Sequence, residues 1–197
     1  MSPVRIGLPK GRLRSRSSQL LQELSDREVL VEPYLLRIQD IPGLVASGAL
    51  DMGVASEEWI AESRSDVVTH LDLKWYTITV SLIGHADGRP PGERGGPLVI
   101  ASEYPELTRL YAQRELADRT VSILKTHGAT ESYVPRLAAV AVDCVETGAT
   151  LRDMGLVVLD DLMTCSVMLI GRVGFDAPDD VVASAAATIG SYQLEEA

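Results

Sequence analysis

Short apolar segments alternate with segments of helical periodicity along most of the chain. The apolar and β-branched segments predict strands at 4–8, 29–36 (broken by Pro33), 51–55, 76–83, 98–101, 121–124, 138–145, 156–159 and 165–170. The helical segments lie at 17–24, 41–47, 56–62, 106–116, 151–154 and 179–189. Because strands and helices alternate, the pattern predicts an α/β fold. Asp40 and Ser56 are predicted as helix N-caps, and Ser17 or Ser18 and Asp179 or Asp180 are predicted to lie near the caps of their helices.

One segment interrupts this pattern more clearly than any other. Residues 84–96 combine Gly, Pro and charged side chains, a composition typical of a linker. A second connection is expected near 160–165. We therefore predict two lobes with central sheets, in which residues 1–90 and 162–197 form the first lobe and residues 91–161 form the second. Folds of this kind bind their ligands in the cleft between the lobes.

Composition narrows the class of protein. Of the 197 residues, 46% are hydrophobic and 23% are charged, as in folded soluble proteins. A net charge of −10 and an aromatic content of 5% argue against nucleic acid as a partner. The two cysteines have neither disulfide nor metal spacing, which indicates reduced thiols in a cytoplasmic protein. No apolar run reaches the roughly 18 residues of a membrane span, and no signal peptide is expected.

The segment 146–150 carries the clearest candidate chemistry. It follows a buried strand, precedes a helix and contains Thr147, Gly148 and Thr150. Backbone N–H groups and hydroxyls at a helix N-terminus suit a phosphate monoester. Asp143, just upstream, suits ribose hydroxyls or a phosphate-bound Mg²⁺. An ordinary strand–turn–helix with Thr as N-cap explains the same residues, and the local pattern leaves both interpretations open.

Positive charge is concentrated near the N-terminus of this acidic chain, at Arg5, Lys10, Arg12, Arg14 and Arg16. Such a cluster is a candidate site for a strongly anionic small molecule. For Arg14 and Arg16 a solvated first helical turn is the competing interpretation.

Four blocks of the chain, in order, resemble the ATP phosphoribosyltransferases of histidine biosynthesis. They are Ile6-Gly7-Leu8-Pro9-Lys10-Gly11-Arg12-Leu13, then Arg37-Ile38-Gln39-Asp40-Ile41-Pro42 with Asp51-Met52-Gly53-Val54, then Ala101-Ser102-Glu103-Tyr104-Pro105 with Thr108-Arg109, and finally Asp143 to Leu151. The resemblance implies a two-lobed fold like that of type II periplasmic binding proteins. It also implies a pentosyltransferase reaction, in which N1 of the ATP adenine attacks C1 of phosphoribosyl diphosphate (PRPP) and pyrophosphate leaves.

Further expectations follow from the same resemblance. Mg²⁺ would be held mainly by PRPP, with no protein ligand predicted. The chain length matches the short form of the family, which works with a regulatory subunit resembling histidyl-tRNA synthetase, and a homodimer or larger assembly is expected. The implied catalytic residues are Lys10, Asp143 and Glu146. The implied substrate-binding residues are Gly11, Arg12, Arg37, Glu131, Thr147, Gly148, Ala149 and Thr150.

The chain also departs from the family pattern. Ser56 and Glu58 stand where the family has Gly and Asp, and Ala139 stands where it has Asp. A basic residue expected after the first-lobe turn is replaced by Thr77 or Thr79. Three interpretations therefore remain. The chain is a working enzyme with tolerated substitutions, a paralogue that transfers phosphoribose to another acceptor, or a catalytically inactive ligand-binding or regulatory protein.

Overall fold

The computed structural model describes residues 2–85, 97–146 and 148–190. Its strands are β1 (Val4–Pro9), β2 (Val31–Leu36), β3 (Met52–Ser56), β4 (Val67–His85), β5 (Leu98–Ser102), β6 (Val121–Lys125), β7 (Val140–Val145) and β8 (Leu156–Arg172). Its helices are α1 (Arg14–Asp26), α2 (Ile41–Ala46), α3 (Glu57–Ser63), α4 (Pro105–Glu115), α5 (Ala149–Asp153) and α6 (Asp179–Ala186). The predicted α/β class is confirmed. Most of the linker predicted at 84–96 lies outside the described residues, as does Thr147.

The fold divides into two compact units, Met1–Thr77 with Cys165–Ala197, and Ile78–Thr164. In the first unit, β1 pairs in parallel with β2 and β3, and β3 pairs antiparallel with β8. In the second unit, β5 pairs in parallel with β6 and β7, and β7 pairs antiparallel with β4. The long strands β4 and β8 contribute residues to both units. The lobe limits drawn from linker composition, at 90/91 and 161/162, stay a prediction.

The main core of the first unit lies between one face of its sheet and the helices α1 and α6. Ile6 and Leu8 on β1 pack with Leu20 and Leu24 on α1, which are spaced one helical turn apart and fully buried. On the other face of the sheet α2 packs closely, because Gly7 and Gly53 are register partners without side chains. A Cβ atom added to Gly53 would lie 2.5 Å from Cγ2 of Ile41.

The second unit has a smaller core built around β5 and β7. Ala101 and Ala141 are register partners on those strands and are fully buried. They pack with Ile83 of β4, Leu151 of α5 and Leu156 of β8. Among the described residues no helix is long and apolar enough to cross a membrane.

The structure corrects several local predictions. Strand β2 is not broken at Pro33, because it is the outermost strand of its sheet and an edge strand tolerates a missing N–H. The segments 156–159 and 165–170 are parts of one strand, β8, whose intervening residues include the exposed Asp160, Asp161 and Thr164.

The predicted helix caps are confirmed in position for α2, α3 and α6 but not for α1. Helix α1 begins before Ser17, whose hydroxyl donates to the Pro9 carbonyl instead, at 2.7 Å. Asp40 and Ser56 occupy N-cap positions, but neither side chain makes a capping hydrogen bond. Helix α6 has Pro178 at its N-cap position, so Asp179 and Asp180 lie next to the cap in the first turn, as predicted.

Candidate active site

In the first unit, the predicted cationic residues follow the carboxyl ends of two neighbouring parallel strands. Lys10 follows β1 and Arg37 follows β2, and the last residues of these strands, Pro9 and Leu36, are register partners. The Lys10 N–H donates to the Leu36 carbonyl at 2.8 Å and so extends the pairing into the loop. The structure therefore brings Lys10 and Arg37 to one edge of the sheet, where α/β folds bind ligands.

The loop that carries Lys10 is open to solvent. Lys10, Gly11 and Arg12 are exposed. Gly11 has φ of +77°, and a Cβ atom added there would meet nothing within 4 Å. Glycine thus serves the left-handed turn rather than close packing. The Arg12 guanidinium lies over the Tyr76 ring, 5.0 Å from its centroid.

The N-terminal basic cluster predicted from the sequence is only partly a cluster. Arg5 lies at the opposite end of β1 and pairs with Asp51, with Nη2 2.8 Å from Oδ1 and Nε 3.0 Å from Oδ2. Arg16 donates to the Gly190 carbonyl at 2.9 Å. Both arginines therefore have structural partners, and Lys10 and Arg12 are the cluster members on the loop at the carboxyl edge.

Behind this edge lies a buried polar group that the sequence did not reveal as a cluster. Ser56, the last residue of β3, is fully buried, and its hydroxyl donates to Oε1 of Glu58, which is 1% exposed. The second carboxyl oxygen, Oε2, makes no hydrogen bond to the described residues. Burial raises the pKa of Glu58, while hydrogen bonds from Ser56 and Cys165 and the charge of Arg12 act in the opposite direction.

In the second unit, acidic residues gather at the corresponding edge. Glu103 follows β5, and because Ser102 pairs with Val142 it lies beside Asp143 of β7. The Ser102 hydroxyl accepts hydrogen bonds from the Tyr104 N–H and the Thr108 hydroxyl, both at 2.8 Å, and so shapes the turn that presents Glu103.

The turn after β6 reaches the same edge. The Thr126 N–H donates to the Ser102 carbonyl at 2.9 Å, and its hydroxyl lies 2.7 Å from that of Thr130, both fully buried. Glu131 follows Thr130 in a short 3₁₀ helix. The structure thus places the predicted site residues Glu131 and Asp143 at one edge. Glu103 lies at the same edge, and local sequence pattern does not predict it as a site residue.

Asp143 is the carboxyl group with the most perturbed protonation in this unit. Burial, together with the negative charges of Glu103 and Glu131, raises the pKa of Asp143 to about 6, although hydrogen bonds from the Cys144 N–H and Thr130 act in the opposite direction. The Cys144 N–H lies 2.8 Å from Oδ1. A half-buried carboxyl group with two acidic neighbours is suited to a hydroxyl-rich or cationic ligand.

The loop after β7 differs from its prediction in one respect. Its helix α5 begins at Ala149 and has five residues, with Gly148 at the N-cap position and φ of +65°. The competing interpretation, with Thr as N-cap, is therefore wrong for the described residues. Because α5 is so short, its dipole adds little, and any phosphate binding would rest on local N–H and hydroxyl groups. Glu146, Ala149 and Thr150 are exposed.

Within the described residues, 2–85, 97–146 and 148–190, no group of three or more His, Cys, Asp or Glu side chains is arranged to hold a metal ion. Mg²⁺ is commonly bound through one or two carboxylates and the oxygens of a phosphorylated substrate. Asp143, with its acidic neighbours, fits that partial donor set.

The family model for "HisG: ATP phosphoribosyltransferase" matches residues 37–189. The chain belongs to the ATP phosphoribosyltransferase family. This confirms the family predicted from the four blocks, and with it the class of enzyme. The match includes Asp143 and the loop 146–150, and it begins after the loop of Lys10 and Arg12.

Named relatives agree over nearly the whole chain. An ATP phosphoribosyltransferase of Clostridium acetobutylicum is 29% identical and covers 98% of this chain and 97% of its own length. One from Sulfurimonas denitrificans is 32% identical and covers 85% of each chain.

Solved structures support the fold. A chain of the ATP phosphoribosyltransferase (HisG:HisZ) complex from Thermotoga maritima matches with a TM-score of 0.74 and 21% identity, over 85% of this chain and 87% of that one. The GluR0 ligand-binding core in complex with L-glutamate matches with a TM-score of 0.58 and 8% identity, over 96% of this chain and 93% of that one. The predicted two-lobed fold of type II periplasmic-binding-protein type is confirmed.

The departures from the family pattern lie in different surroundings. Ser56 and Glu58 are part of the buried group behind the cationic edge. Ala139 is buried before β7, and its N–H donates to the Val99 carbonyl at 2.9 Å. Thr79 lies on β4, with its hydroxyl 3.5 Å from that of Thr164.

Proposed function

We propose that this chain transfers the 5-phosphoribosyl group of PRPP to N1 of the adenine of ATP, with release of pyrophosphate, as the first step of histidine biosynthesis. The family match over residues 37–189 carries the proposal. The names of the relatives from Clostridium acetobutylicum and Sulfurimonas denitrificans support it.

The residues of the first unit suit the leaving group. Lys10 and Arg12 are exposed cations on a loop whose backbone is tied to β2. We assign to them the binding of the pyrophosphate, whose negative charge grows as the bond to C1 breaks. Fixed cations aimed at developing charge are among the strongest catalytic contributions that a protein can make. Arg37, at the same edge, is assigned to a substrate phosphate.

The residues of the second unit suit the phosphoribosyl group. We assign the 5′-phosphate to the loop 146–150, through the backbone of Gly148 and Ala149 and the hydroxyls of Thr147 and Thr150. Asp143 and Glu146 are assigned to the ribose hydroxyls, with Glu131 as a further ribose or base contact. An ionised Asp143 accepts hydrogen bonds from hydroxyls, whereas its protonated form loses acceptor capacity. No covalent nucleophile is needed, because orientation of two bound substrates supplies most of the effect.

Mg²⁺ is proposed as the cofactor. It would be held mainly by the diphosphate of PRPP, with Asp143 and Glu103 as the nearby carboxylates. When bound, it would neutralise part of the charge on the diphosphate. The same ion would lower the electrostatic cost of ionising Asp143 beside its acidic neighbours.

A regulatory partner subunit and a homodimer or larger assembly are part of the proposal. The neighbouring Thermotoga maritima structure is that of a HisG:HisZ complex, which supports a partner of this kind. Activity assays should therefore be made on the chain alone and with such a subunit added.

The test is release of pyrophosphate from PRPP and Mg²⁺, with and without ATP. Release that depends on ATP, with a product of the mass of phosphoribosyl-ATP, is the expected result. Release with another acceptor but not with ATP would favour a paralogue with a different substrate. Binding of PRPP without turnover, with and without the partner subunit, would favour a ligand-binding or regulatory protein and would contradict the proposal.

A further inference from the structure

The contact between Arg12 and Tyr76 has a specific geometry. Arg12 is exposed, whereas Tyr76 is half-buried on β4, and the guanidinium carbon lies 5.0 Å from the ring centroid. A guanidinium within about 6 Å of a ring centroid is attracted to the face of the ring. The contact therefore orders a long cationic side chain beside the exposed loop of Lys10 and Gly11.

The part of β4 that carries Tyr76 is anchored in the core by the preceding residue. That residue, Trp75, is fully buried, and the indole Nε1–H donates to the Thr188 hydroxyl at 3.1 Å, which anchors this part of β4. Ser56 and Arg12 both lie within hydrogen-bonding reach of the Tyr76 side chain, and the carboxyl group of Glu58 lies close enough to act on it electrostatically. Burial is the main cause that raises the pKa of Tyr76, and the charge of Glu58 adds to it.

We propose that Tyr76 is a positioning residue that holds Arg12 at the carboxyl edge of β1, β2 and β3. Arg12 then meets the pyrophosphate moiety already ordered. The inference rests on the proposed function for the identity of that anion.

A double-mutant cycle tests the coupling between the two residues. Arg12→Met, Tyr76→Leu and the double variant are compared with the wild type. The measurements are the Kd of magnesium pyrophosphate by calorimetry, and kcat and KM for PRPP. Tyr76→Leu is expected to weaken pyrophosphate binding by about five- to twentyfold, the range that a cation–π contact supports. In the Arg12→Met background it should cause no further loss.

Two variants separate positioning from folding. Tyr76→Phe keeps the ring and removes the hydroxyl, so it should stay within about threefold of the wild type because the stacking survives. Tyr34→Leu removes an exposed tyrosine on β2 and should leave binding unchanged. Melting temperatures of all variants show whether the fold is intact.

The outcomes are distinct. If Tyr76→Leu costs as much with Arg12→Met as without it, the ring does not act through Arg12 and the inference is wrong. If the wild type binds magnesium pyrophosphate and shows the coupling but never turns over, the proposed function fails and the positioning role stands. If the wild type does not bind the anion at all, both fail.

Discussion

The two units share one strand arrangement but carry opposite charge at the same place. In each unit the first strand lies between the second and the third, in parallel, as β2–β1–β3 and as β6–β5–β7, and an antiparallel strand follows the third. The carboxyl edge of the first set presents Lys10, Arg12 and Arg37. The carboxyl edge of the second presents Glu103, Glu131 and Asp143.

This difference shows that the loops, and not the strands, give each edge its charge. The strands fix only that the loops after them share an edge, and the loops decide what the edge binds. A cationic edge suits an anionic leaving group, and an acidic edge suits hydroxyls and a metal-bound phosphate. Chemical groups of unlike charge can thus be recognised by one repeated topology.

Removing Lys10 from the carboxyl edge of the first unit should have the largest effect. Lys10→Ala is expected to lower kcat/KM for PRPP by about 10²–10³-fold, because an oriented group that stabilises developing charge is lost. Steady-state assays of pyrophosphate release measure it. Arg14→Ala, which removes an exposed cation at the start of α1, is the matched control and should stay near the wild type. Equal losses in both variants would show that general positive charge, and not the edge, matters.

Removing the charge of the second edge should change the pH dependence as well as the rate. Because the pKa of Asp143 is raised to about 6, the free enzyme should lose kcat/KM as the pH falls below about 6. Asp143→Asn is expected to lower kcat/KM by about 10- to 100-fold and to abolish that acidic limb. Asp153→Asn, on the exposed face of α5, keeps the limb if the assignment is right. An unchanged limb in Asp143→Asn would assign it to another group.

Asp143 should also make the folded protein less stable as the pH rises. A folded-state pKa above the unfolded value means that the stabilising protonated form is present below pH about 4 and is lost as the pH passes about 6. The free energy of unfolding should fall by up to about 2–3 kcal/mol across that window from this group. Urea denaturation of the wild type and Asp143→Asn at pH 5 and pH 7.5 measures it, and the difference between them should grow with pH in favour of the variant.

Most strands and helices of both units could be predicted from the sequence, because apolar periodicity follows burial directly. The exceptions are β4, of which only 76–83 was predicted, and β8, which was predicted as two strands. The exact ends of the helices and strands, and the side-chain capping of the helices, could not be predicted. Ser17 looks like a cap by residue type, but its hydroxyl finds the Pro9 carbonyl across the loop, a contact that depends on the tertiary fold. The same limit applies to the site. Lys10 and Asp143 stood out in recognisable blocks, whereas Tyr76 and Glu103 acquire their meaning from strand pairing, which no local pattern contains.

Packing behind the two edges should differ in its tolerance. Gly53→Ala would place Cβ 2.5 Å from Ile41 Cγ2 and 3.1 Å from Val45 Cγ2, and should lower the free energy of unfolding by about 1–3 kcal/mol. Gly84→Ala in the second unit would meet Leu159 Cδ1 at 2.7 Å, but Leu159 is 41% exposed and can move, so a smaller loss is expected. Gly43 lies within α2, and a Cβ atom added there would meet nothing within 4 Å, so Gly43→Ala should be neutral or slightly stabilising. Chemical denaturation ranks the three, and a Gly84→Ala loss as large as that of Gly53→Ala would contradict the contrast.

The smallest predicted effect concerns Asp51, near the opposite end of β1, whose pKa is shifted in the opposite direction from that of Asp143. Hydrogen bonds from the Arg5 side chain hold the pKa of Asp51 below its usual value, against the effect of burial. A lowered pKa contributes stability above the unfolded value of about 4, and that stability is lost as the pH falls through the folded value. Asp51→Asn should therefore lower the melting temperature by about 2–4 °C at pH 7, and by less at pH 3. The pH trend should thus be opposite in sign to that of Asp143, because Asp51 has a cationic partner whereas Asp143 has acidic neighbours. If both aspartates gave the same sign of pH dependence, the charge contrast between their surroundings would not govern their titration.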